Sequence, residues 1–561
     1  MSGLEVAIPA CGGVAVFYYG RYYSDMITRI AVLAAYFLVV LLLGFLARSR
    51  LSDSPSRYFL AGRGLGSLVL LGTMAATNFS AFTVFGASGA GYRDGLSFFP
   101  IMAFGTGFMA VTFWLLGKRI WELGKRHDLV TPAELVEQLY GGNRFLAALF
   151  ALVMVFFTVP YLALQPLAGA KVLGQLYGLP PWAGAGLVTL IILAYTLRGG
   201  LKAVAWTDLF QGVLMFGLMV AALFMVVGHY GGWEAAFRKV YELKPALFSR
   251  PGPRGVYTPA IWFSFLLLWF FCDPMFPQLF QRFYAAKSKA ALARSAILYP
   301  LVCTLVFVLP VSLGVLGWLE FPGLQGRAAD NIVPLLMTRL GGDFMGTLVL
   351  AAGLAALMST MDSQLLTLGS IFSRDIYPLL GGRKAGGGWS GRLFVVGLAL
   401  AGLVVALGTD TTILKLGLMA FTGLAVLFPT VFFGLYLKSP RPAAAIGSIL
   451  VGEALVAAYW LKLLPTGGFL PAVPVIAATV LVYVVLQVLG GASLRLPQLS
   501  SSQRWVALGL GLIFLLAQDY WRWGGVGGML WGWPLWCWYF VFLSAAQTTM
   551  VAWWVHEEEP E

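Results

Sequence analysis

The chain has 561 residues, of which 59% are hydrophobic and only 11% are charged, and its mean hydropathy is +0.83. Soluble proteins carry roughly 25% charged residues, so the composition excludes a soluble globular protein and predicts a polytopic membrane protein. The formal net charge of +13 does not indicate a nucleic-acid partner, because the basic residues lie mostly in short loops between apolar segments, where they indicate topology.

Metal-binding and disulfide chemistry are not predicted. The four cysteines are scattered and the three histidines are far apart in the sequence. No cleavable signal peptide is expected either, since the apolar stretch Val6–Tyr19 is broken by Pro9 and by glycines and has no basic residues before it.

A membrane-spanning helix needs about 20 apolar residues, and the chain contains about fifteen runs of this kind. Their approximate limits are 28–47, 66–91, 97–117, 145–174, 181–197, 203–228, 260–283, 295–318, 344–373, 393–408, 412–437, 442–463, 470–490, 505–520 and 528–555.

Basic residues are concentrated in the loops that follow odd-numbered segments. The positive-inside rule therefore places the N-terminus outside and the C-terminus inside. The residues assigned to these inner loops are Arg48, Arg50, Arg57, Arg63, Lys118, Arg119, Lys125, Arg126, Arg144, Arg198, Lys202, Arg282, Lys287, Lys289, Arg294, Arg374, Arg383, Lys384, Arg392, Lys438, Arg441, Arg495 and Arg504.

Two of the apolar segments carry interruptions. The second, GTMAATNFSAFTVFGASGAGY (Gly72–Tyr92), is rich in small and hydroxyl residues around Asn78, and such a stretch can unwind and free backbone carbonyls. The seventh, WFFCDPMFPQLFQRF (Trp269–Phe283), contains Pro274 and Pro277, which kink or break a helix. Broken helices at corresponding positions of two halves predict a transporter with inverted repeats and a site at the membrane midplane.

The ninth segment contains a polar patch within Ala351–Tyr377, formed by Ser359, Thr360, Asp362 and Ser363. Hydroxyls and a carboxylate at membrane depth face a partner, a cavity or an ion. The patch therefore serves either to hydrogen-bond two helices together or to bind something.

Four stretches resemble the sodium/solute symporter family, which includes bacterial proline, pantothenate and monocarboxylate permeases and the sodium/glucose cotransporters. The stretches are RYFLAGRGLGSLVLLGTMAATNFSAFTVFGASGAGYRDG, AYTLRGGLKAVAWTDLFQG, PQLFQRFYAAKS and AALMSTMDSQLL. The resemblance implies an all-α LeuT-type fold with a five-plus-five inverted repeat. The core would cover residues 28–490, with repeats at about 66–228 and 260–437, preceded by an N-terminal extension 1–27.

By the same resemblance, a sodium site lies between the second and ninth segments. Ala76, Phe79 and Ala356 would offer backbone carbonyls, and the hydroxyls of Ser359 and Thr360 would complete the site. Five neutral oxygens suit a hard monovalent cation that must also be released. Simple helix–helix hydrogen bonding is the alternative for the two hydroxyls.

Two acidic residues are candidates for the inward exit path of the ion. Asp208, in the stretch TDLFQG, resembles a family residue in that role; alternatively it pairs with Lys202 or Arg198. Asp362 lies three residues after Ser359, which places it near the ion path, or else it bonds to a neighbouring helix.

The substrate pocket is expected at the same depth, between the second, fourth, seventh and eleventh segments. Its candidate residues are Thr77, Asn78, Tyr161, Gln165, Asp273, Pro277, Gln278, Phe421 and Thr422. Each of them has helix packing as an alternative role.

Substrate charge is predicted from two of these positions. Asn78 stands where the proline permeases have an aspartate, and its neutral amide favours a small carboxylate over a zwitterion with a demanding amine. Asp273 argues the other way if it faces the cavity, since an anion would avoid it; beside Pro274 it can instead cap a half-helix.

Residues 503–561 form a C-terminal extension of two further segments. It resembles the small two-helix membrane proteins that accompany monocarboxylate-type permeases, although an aromatic belt at the membrane interface would produce the same tryptophans. The acidic run Glu557–Glu561 is expected to be a solvated cytoplasmic tail.

The sequence thus predicts a sodium-coupled symporter of the cell membrane that imports a small organic solute, with a monocarboxylate as the first expectation. We expect a monomer with Na⁺ as the coupling ion, no organic cofactor and no nucleic-acid partner. A proline- or pantothenate-type substrate is the alternative, as is proton coupling through Asp362 or Asp273. A sensor is disfavoured by the few residues after Val555, and an enzyme by the lack of a catalytic constellation.

Overall fold

The computed structural model describes residues 12–47, 54–382, 389–409 and 411–558. Helices are the main secondary structure of this part of the chain, which confirms the predicted all-α class. The described residues also contain a two-stranded antiparallel sheet of β1 (Met529–Leu530) and β2 (Trp533–Pro534).

Ten helices lie in the first half of the chain. They are α1 (Gly12–Leu46), α2 (Pro55–Phe59), α3 (Ser67–Asn78), α4 (Ala87–Asp94), α5 (Phe98–Gly107), α6 (Met109–Arg126), α7 (Pro132–Leu139), α8 (Arg144–Tyr177), α9 (Pro181–His229) and α10 (Trp233–Leu243). Helix α9 covers two predicted segments, and Gly200 (φ 65°, ψ 179°) forms the break between them. Only glycine adopts that conformation without strain.

Eleven helices follow in the second half. They are α11 (Pro259–Cys272), α12 (Pro277–Ala285), α13 (Lys289–Leu316), α14 (Ile332–Ile371), α15 (Trp389–Gly408), α16 (Ile413–Ala425), α17 (Phe428–Tyr436), α18 (Pro442–Trp460), α19 (Ala472–Leu489), α20 (Ser501–Leu516) and α21 (Leu535–Glu558).

Every predicted apolar run coincides with helical structure, but fewer stretches meet the length of a full membrane span. Among the described residues there are eleven, or twelve if the bent pair Pro259–Met275 and Pro277–Ala285 is one span. Ser67–Asn78 and Pro181–Leu197 are too short by themselves, and Phe82–Arg126 runs through two predicted segments. The count of fifteen and the orientation therefore stay predictions.

Both predicted helix breaks are present. Helix α3 ends at Asn78, and the chain passes through Phe79 (φ −85°, ψ 82°) before a π-helical turn leads into α4. Helix α11 ends before a 3₁₀ turn at Asp273–Met275, and α12 continues at an angle of 55°. Pro274 and Pro277 explain the second break, since neither can donate the backbone hydrogen bond of a continuous helix.

Helix α14 lies at the centre of the molecule and packs against α9, α8, α3 and α12. The approach of α9 to α3 is close, because a Cβ at Gly212 would lie 3.0 Å from Cβ of Ala76. This packing brings the second half of α9, the break after α3 and the polar patch of α14 together.

Some sequence-based assignments lie outside the described residues. These are Arg48, Arg50, Arg383 and Lys384 of the inner loops, residues 1–11 of the N-terminal extension and residues 559–561 of the acidic tail. Within the described part, α1 already begins at Gly12, inside the predicted extension 1–27.

Candidate ion and substrate site

The polar patch of α14 meets the end of α3 through backbone carbonyls. Ser359 Oγ donates to the carbonyl oxygen of Ala76 (3.0 Å) and Thr360 Oγ1 to that of Thr77 (2.9 Å). Both hydroxyls also reach the carbonyl of Ala356, at 3.2 and 3.3 Å. Helix α3 ends at Asn78, so no N–H group four positions later in the same helix donates to the carbonyls of Ala76 and Thr77. Both carbonyls are therefore available as hydrogen-bond acceptors or ligands.

These oxygens make a neutral donor set. Phe79 closes α3, with its N–H donating to Ala75 at 2.8 Å, and its side chain is buried. Carbonyl and hydroxyl oxygens at a helix break are the ligands that transporters offer to an alkali cation. Ala76, Ala356, Ser359 and Thr360 lie together, with Phe79 at the break, so the expected arrangement suits a hard monovalent cation.

A buried ion pair lies one helical turn from this set. Asp208 on α9 and Arg282 on α12 are both fully buried, with Asp208 Oδ2 and Arg282 Nη2 3.0 Å apart. Asp208 Oδ2 also accepts hydrogen bonds from Thr73 (2.5 Å), Thr77 (3.0 Å) and Ser363 (3.2 Å). Asp208 thus pairs with Arg282 and not with Lys202, while the side chain of Arg198, the other predicted partner, lies outside the described ones.

Arg282 is the main residue that the sequence analysis missed. Its assignment to an inner loop is wrong, because it lies within α12 and donates to Gln278 O (3.0 Å) and to Ser363 Oγ. Hydropathy analysis assigns an arginine to the end of a membrane segment, because a charged side chain is disfavoured inside it. The available indication was Pro277, which begins a new helix five residues before Arg282.

Asp362 points to a neighbouring helix. Its Oδ2 accepts a hydrogen bond from the Tyr195 hydroxyl of α9 (2.9 Å), while Oδ1 has no protein partner within hydrogen-bond distance among the described residues. Of the two roles considered for Asp362, the bond to a neighbouring helix is therefore present in the structure.

Aromatic rings surround the break between α11 and α12. We call the rings of Phe82, Tyr161, Trp269, Phe276 and Phe421 the aromatic cage. Ring centroids lie 5.2 Å apart for Tyr161 and Phe276, 5.0 Å for Tyr161 and Phe421, and 5.5 Å for Trp269 and Phe421. Phe82 packs edge-on against both Trp269 and Phe421.

Several predicted pocket residues lie beside this cage. Asn78 donates to the Tyr299 hydroxyl (2.7 Å) and lies next to Asp273. Gln165 accepts from the N–H of Ala81 (3.3 Å) and therefore holds the chain just after the α3 break. Gln278 follows Pro277 at the start of α12, and both its amide atoms are buried without a hydrogen-bond partner in the described part of the chain.

Two other candidates direct their hydroxyls elsewhere. The hydroxyl of Thr77 belongs to the Asp208 cluster, where it also shares a hydrogen bond with Ser363 (3.0 Å). Thr422 donates to Leu418 in its own helix (2.8 Å). The structure does not bring these two hydroxyls to the aromatic cage.

Comparison with known proteins gives a family match over most of the chain. The model of the sodium:solute symporter family matches residues 58–452. The sodium/pantothenate symporter of Haemophilus influenzae is 28% identical over 405 residues, covering 71% of this chain and 83% of the relative. The sodium/proline symporter of Staphylococcus aureus is 29% identical over 446 residues, covering 77% and 85%.

Solved structures share the fold. A Na⁺-coupled sialic acid symporter, in a substrate-bound outward-open state, superposes with a TM-score of 0.68 at 20% identity, covering 84% of this chain and 99% of that one. A nucleobase-cation-symport-1 family transporter in a closed conformation gives a TM-score of 0.53 at 14% identity, covering 81% and 98%.

Proposed function

Because the chain belongs to the sodium:solute symporter family, we propose that this multi-pass plasma-membrane protein uses a sodium gradient to import a small organic solute. The contact of the Ser359 and Thr360 hydroxyls with the carbonyls exposed by the α3 break carries the proposal. This contact forms a neutral oxygen set between two helices whose relative position can depend on a bound cation.

In the proposed cycle, sodium binds first to Ala76, Phe79, Ala356, Ser359 and Thr360. It joins α3 to α14 and favours the conformation that accepts solute from outside. Solute then binds near the aromatic cage, and the inward-facing state separates the two helices and releases the ion past Asp208. Asp362 stays a candidate for the same exit path.

The driving force is sufficient for concentrative uptake. Moving one charge through the membrane potential supplies about 2.3 kcal/mol per 100 mV, which corresponds to roughly fifty-fold accumulation, per sodium ion at that potential, of a solute without net charge.

The substrate class is open to two proposals. A monocarboxylate is the expectation from Asn78 and from the C-terminal extension. The relatives are named for proline and pantothenate, which favours the amino-acid or vitamin alternative.

Uptake into proteoliposomes tests the coupling. We expect an inward sodium gradient to drive accumulation of a radiolabelled solute from a panel of proline, alanine, pantothenate, lactate and acetate. A proton gradient of equal size without sodium should drive none. Accumulation driven by protons alone would replace sodium coupling with proton coupling, and sodium-independent binding without uptake would favour a sensor.

A further inference from the structure

Asp273 is a buried carboxylate that has no cationic partner among the described residues. Its exposed fraction is 1%, and Oδ2 accepts no hydrogen bond from this part of the chain. Oδ1 receives the weak Sγ–H donor of Cys272, at 3.4 Å. Burying a carboxylate in this way is costly unless another group supplies the missing charge.

The other elements packed around Asp273 bring only neutral groups to it. They are Asn78 of α3, Tyr161 of α8, and Tyr299 and Cys303 of α13. None of these side chains carries a positive charge, so the compensation does not come from these neighbours.

Five other buried carboxylates among the described residues are paired with arginine. The pairs are Asp94–Arg254, Glu134–Arg374, Asp208–Arg282, Asp330–Arg93 and Asp519–Arg250. Asp362, a further buried carboxylate, accepts a hydrogen bond from the Tyr195 hydroxyl. Asp273 differs from all of these, and it lies at the helix break where solute is proposed to bind. A cation that arrives with the solute would supply what arginine supplies at the other sites.

The surroundings of Asp273 favour an organic ammonium group. Trp269 lies one turn before Asp273 on the same face of α11, and the aromatic cage continues from Trp269 through Phe421 to Tyr161. Aromatic faces attract ammonium groups. The C-terminal end of α11, which Asp273 closes, adds the negative end of the helix dipole.

The opposite side of the break favours an anion. Helix α12 begins at Pro277, and the positive end of its dipole points into the break. The side chain of Gln278, next to it, is fully buried, and neither amide atom has a hydrogen-bond partner among the described residues. A buried amide donor beside a helix N-terminus is suited to a carboxylate.

We infer that the transported solute is a zwitterion of the amino-acid type, whose protonated amine pairs with Asp273 and whose carboxylate is bound at the start of α12. The inference rests on the proposed symport function and names the substrate class of that same site. It replaces the expected monocarboxylate, because a solute with only a carboxylate would be repelled by the unpaired carboxylate of Asp273.

Matched solute pairs test the substrate class. Sodium-dependent uptake of radiolabelled solute into proteoliposomes is measured with L-alanine against L-lactate, and with L-proline against cyclopentanecarboxylate. Each pair keeps the carboxylate and loses the amine. We expect uptake only of an amine-bearing member. Uptake of a carboxylate-only member at a comparable rate, or uptake of neither class while pantothenate is taken up, would overturn the inference and leave sodium symport intact.

Variants test the assignment to Asp273. Asp273→Asn keeps the shape and removes the charge, so the concentration of the amine solute that gives half-maximal current should rise at least about tenfold. The half-saturating sodium concentration should change less than about twofold, because the neutral oxygen set is retained. Asp273→Glu should retain part of the affinity. Glu453→Gln is the control: this carboxyl of α18 lies outside the proposed site and has no hydrogen-bond partner among the described residues, and its replacement should leave both values unchanged.

The outcomes separate the substrate inference from the proposed function. If Asp273→Asn shifts the sodium dependence and leaves the preference for amines, Asp273 takes part in ion coupling and the inference fails. If the wild-type protein shows no sodium-dependent uptake of any solute, the proposed function fails, and with it the inference.

Discussion

At the scale of single residues, Thr77 connects the two polar clusters of the proposed transport site. Its carbonyl accepts the hydrogen bond of Thr360, while its hydroxyl lies 3.0 Å from Asp208 Oδ2. A cation that displaces Thr360 from this carbonyl therefore acts directly on the residue that bonds to the Asp208–Arg282 pair. This gives a physical path from the proposed sodium site to the half-helix α12.

The first prediction concerns Thr360. Thr360→Ala removes one neutral oxygen from the proposed cation site, and the half-saturating sodium concentration should rise about tenfold, as for the loss of about one or two kcal/mol of interaction. Thr189→Ala is the matched control, because the Thr189 hydroxyl is buried and donates to Ala185 of its own helix. An unchanged sodium dependence of Thr360→Ala would remove this residue from the site.

At the scale of elements, the second half of the first broken helix, α4, is held by a close contact with α13. A Cβ at Gly314 would lie 2.1 Å from the carbonyl oxygen of Ser88, and one at Gly91 would lie 2.6 Å from that of Val311. Glycine is required at these positions by the backbone approach alone. The contact fixes α4 against a helix from the other half of the chain.

The second prediction tests that contact by thermal unfolding of the purified protein. Gly314→Ala should destabilise the protein by about 1–3 kcal/mol, because the added methyl forces α4 and α13 apart. Gly217→Ala is the control, since a Cβ at Gly217 would meet no atom within 4 Å, and alanine favours a helix by up to about 1 kcal/mol. Equal melting temperatures for both variants would contradict the close packing of α4 on α13.

At the scale of the whole molecule, the C-terminal extension is attached to the core through a buried charge. Arg250, in the loop before α11, pairs with Asp519 at 2.7 Å, and both side chains are fully buried. The guanidinium lies 4.8–5.4 Å from the ring centroids of Trp262, Trp523 and Trp536. A crevice of about 1360 Å³ lies between the extension and helices α6 and α11. None of the proposed site residues lines this crevice.

The third prediction concerns this attachment. Arg250→Met leaves Asp519 as an unpaired buried carboxylate and should cost about 3–5 kcal/mol of stability, measured by thermal unfolding. Removing both charges in Arg250→Met with Asp519→Asn should restore part of the loss. Arg238→Ala, which breaks an exposed pair with Glu234, should change stability by less than about 1 kcal/mol. A double variant as unstable as the single one would show that charge pairing is not the reason.

The sequence by itself determined the membrane class, the family, the places of the two helix breaks and the polar patch of α14. The family follows from the resemblance of four sequence stretches. The other features follow from local properties: runs of apolar residues, prolines inside such a run, and hydroxyls where lipid would reject them. The contact of Ser359 and Thr360 with the end of α3 agrees with the arrangement that the resemblance implies, and their role in a cation site stays a prediction.

Only the tertiary structure decided which charges meet. Arg282 and Asp208 are 74 residues apart, and no local pattern reveals that they share a buried pair or that Asp273 is left without one. Likewise, the hydroxyls of Thr77 and Thr422 point away from the aromatic cage for reasons of helix rotation. The physical reason is that a buried charge is defined by its partners, and partners are set by packing between helices that are distant in the sequence.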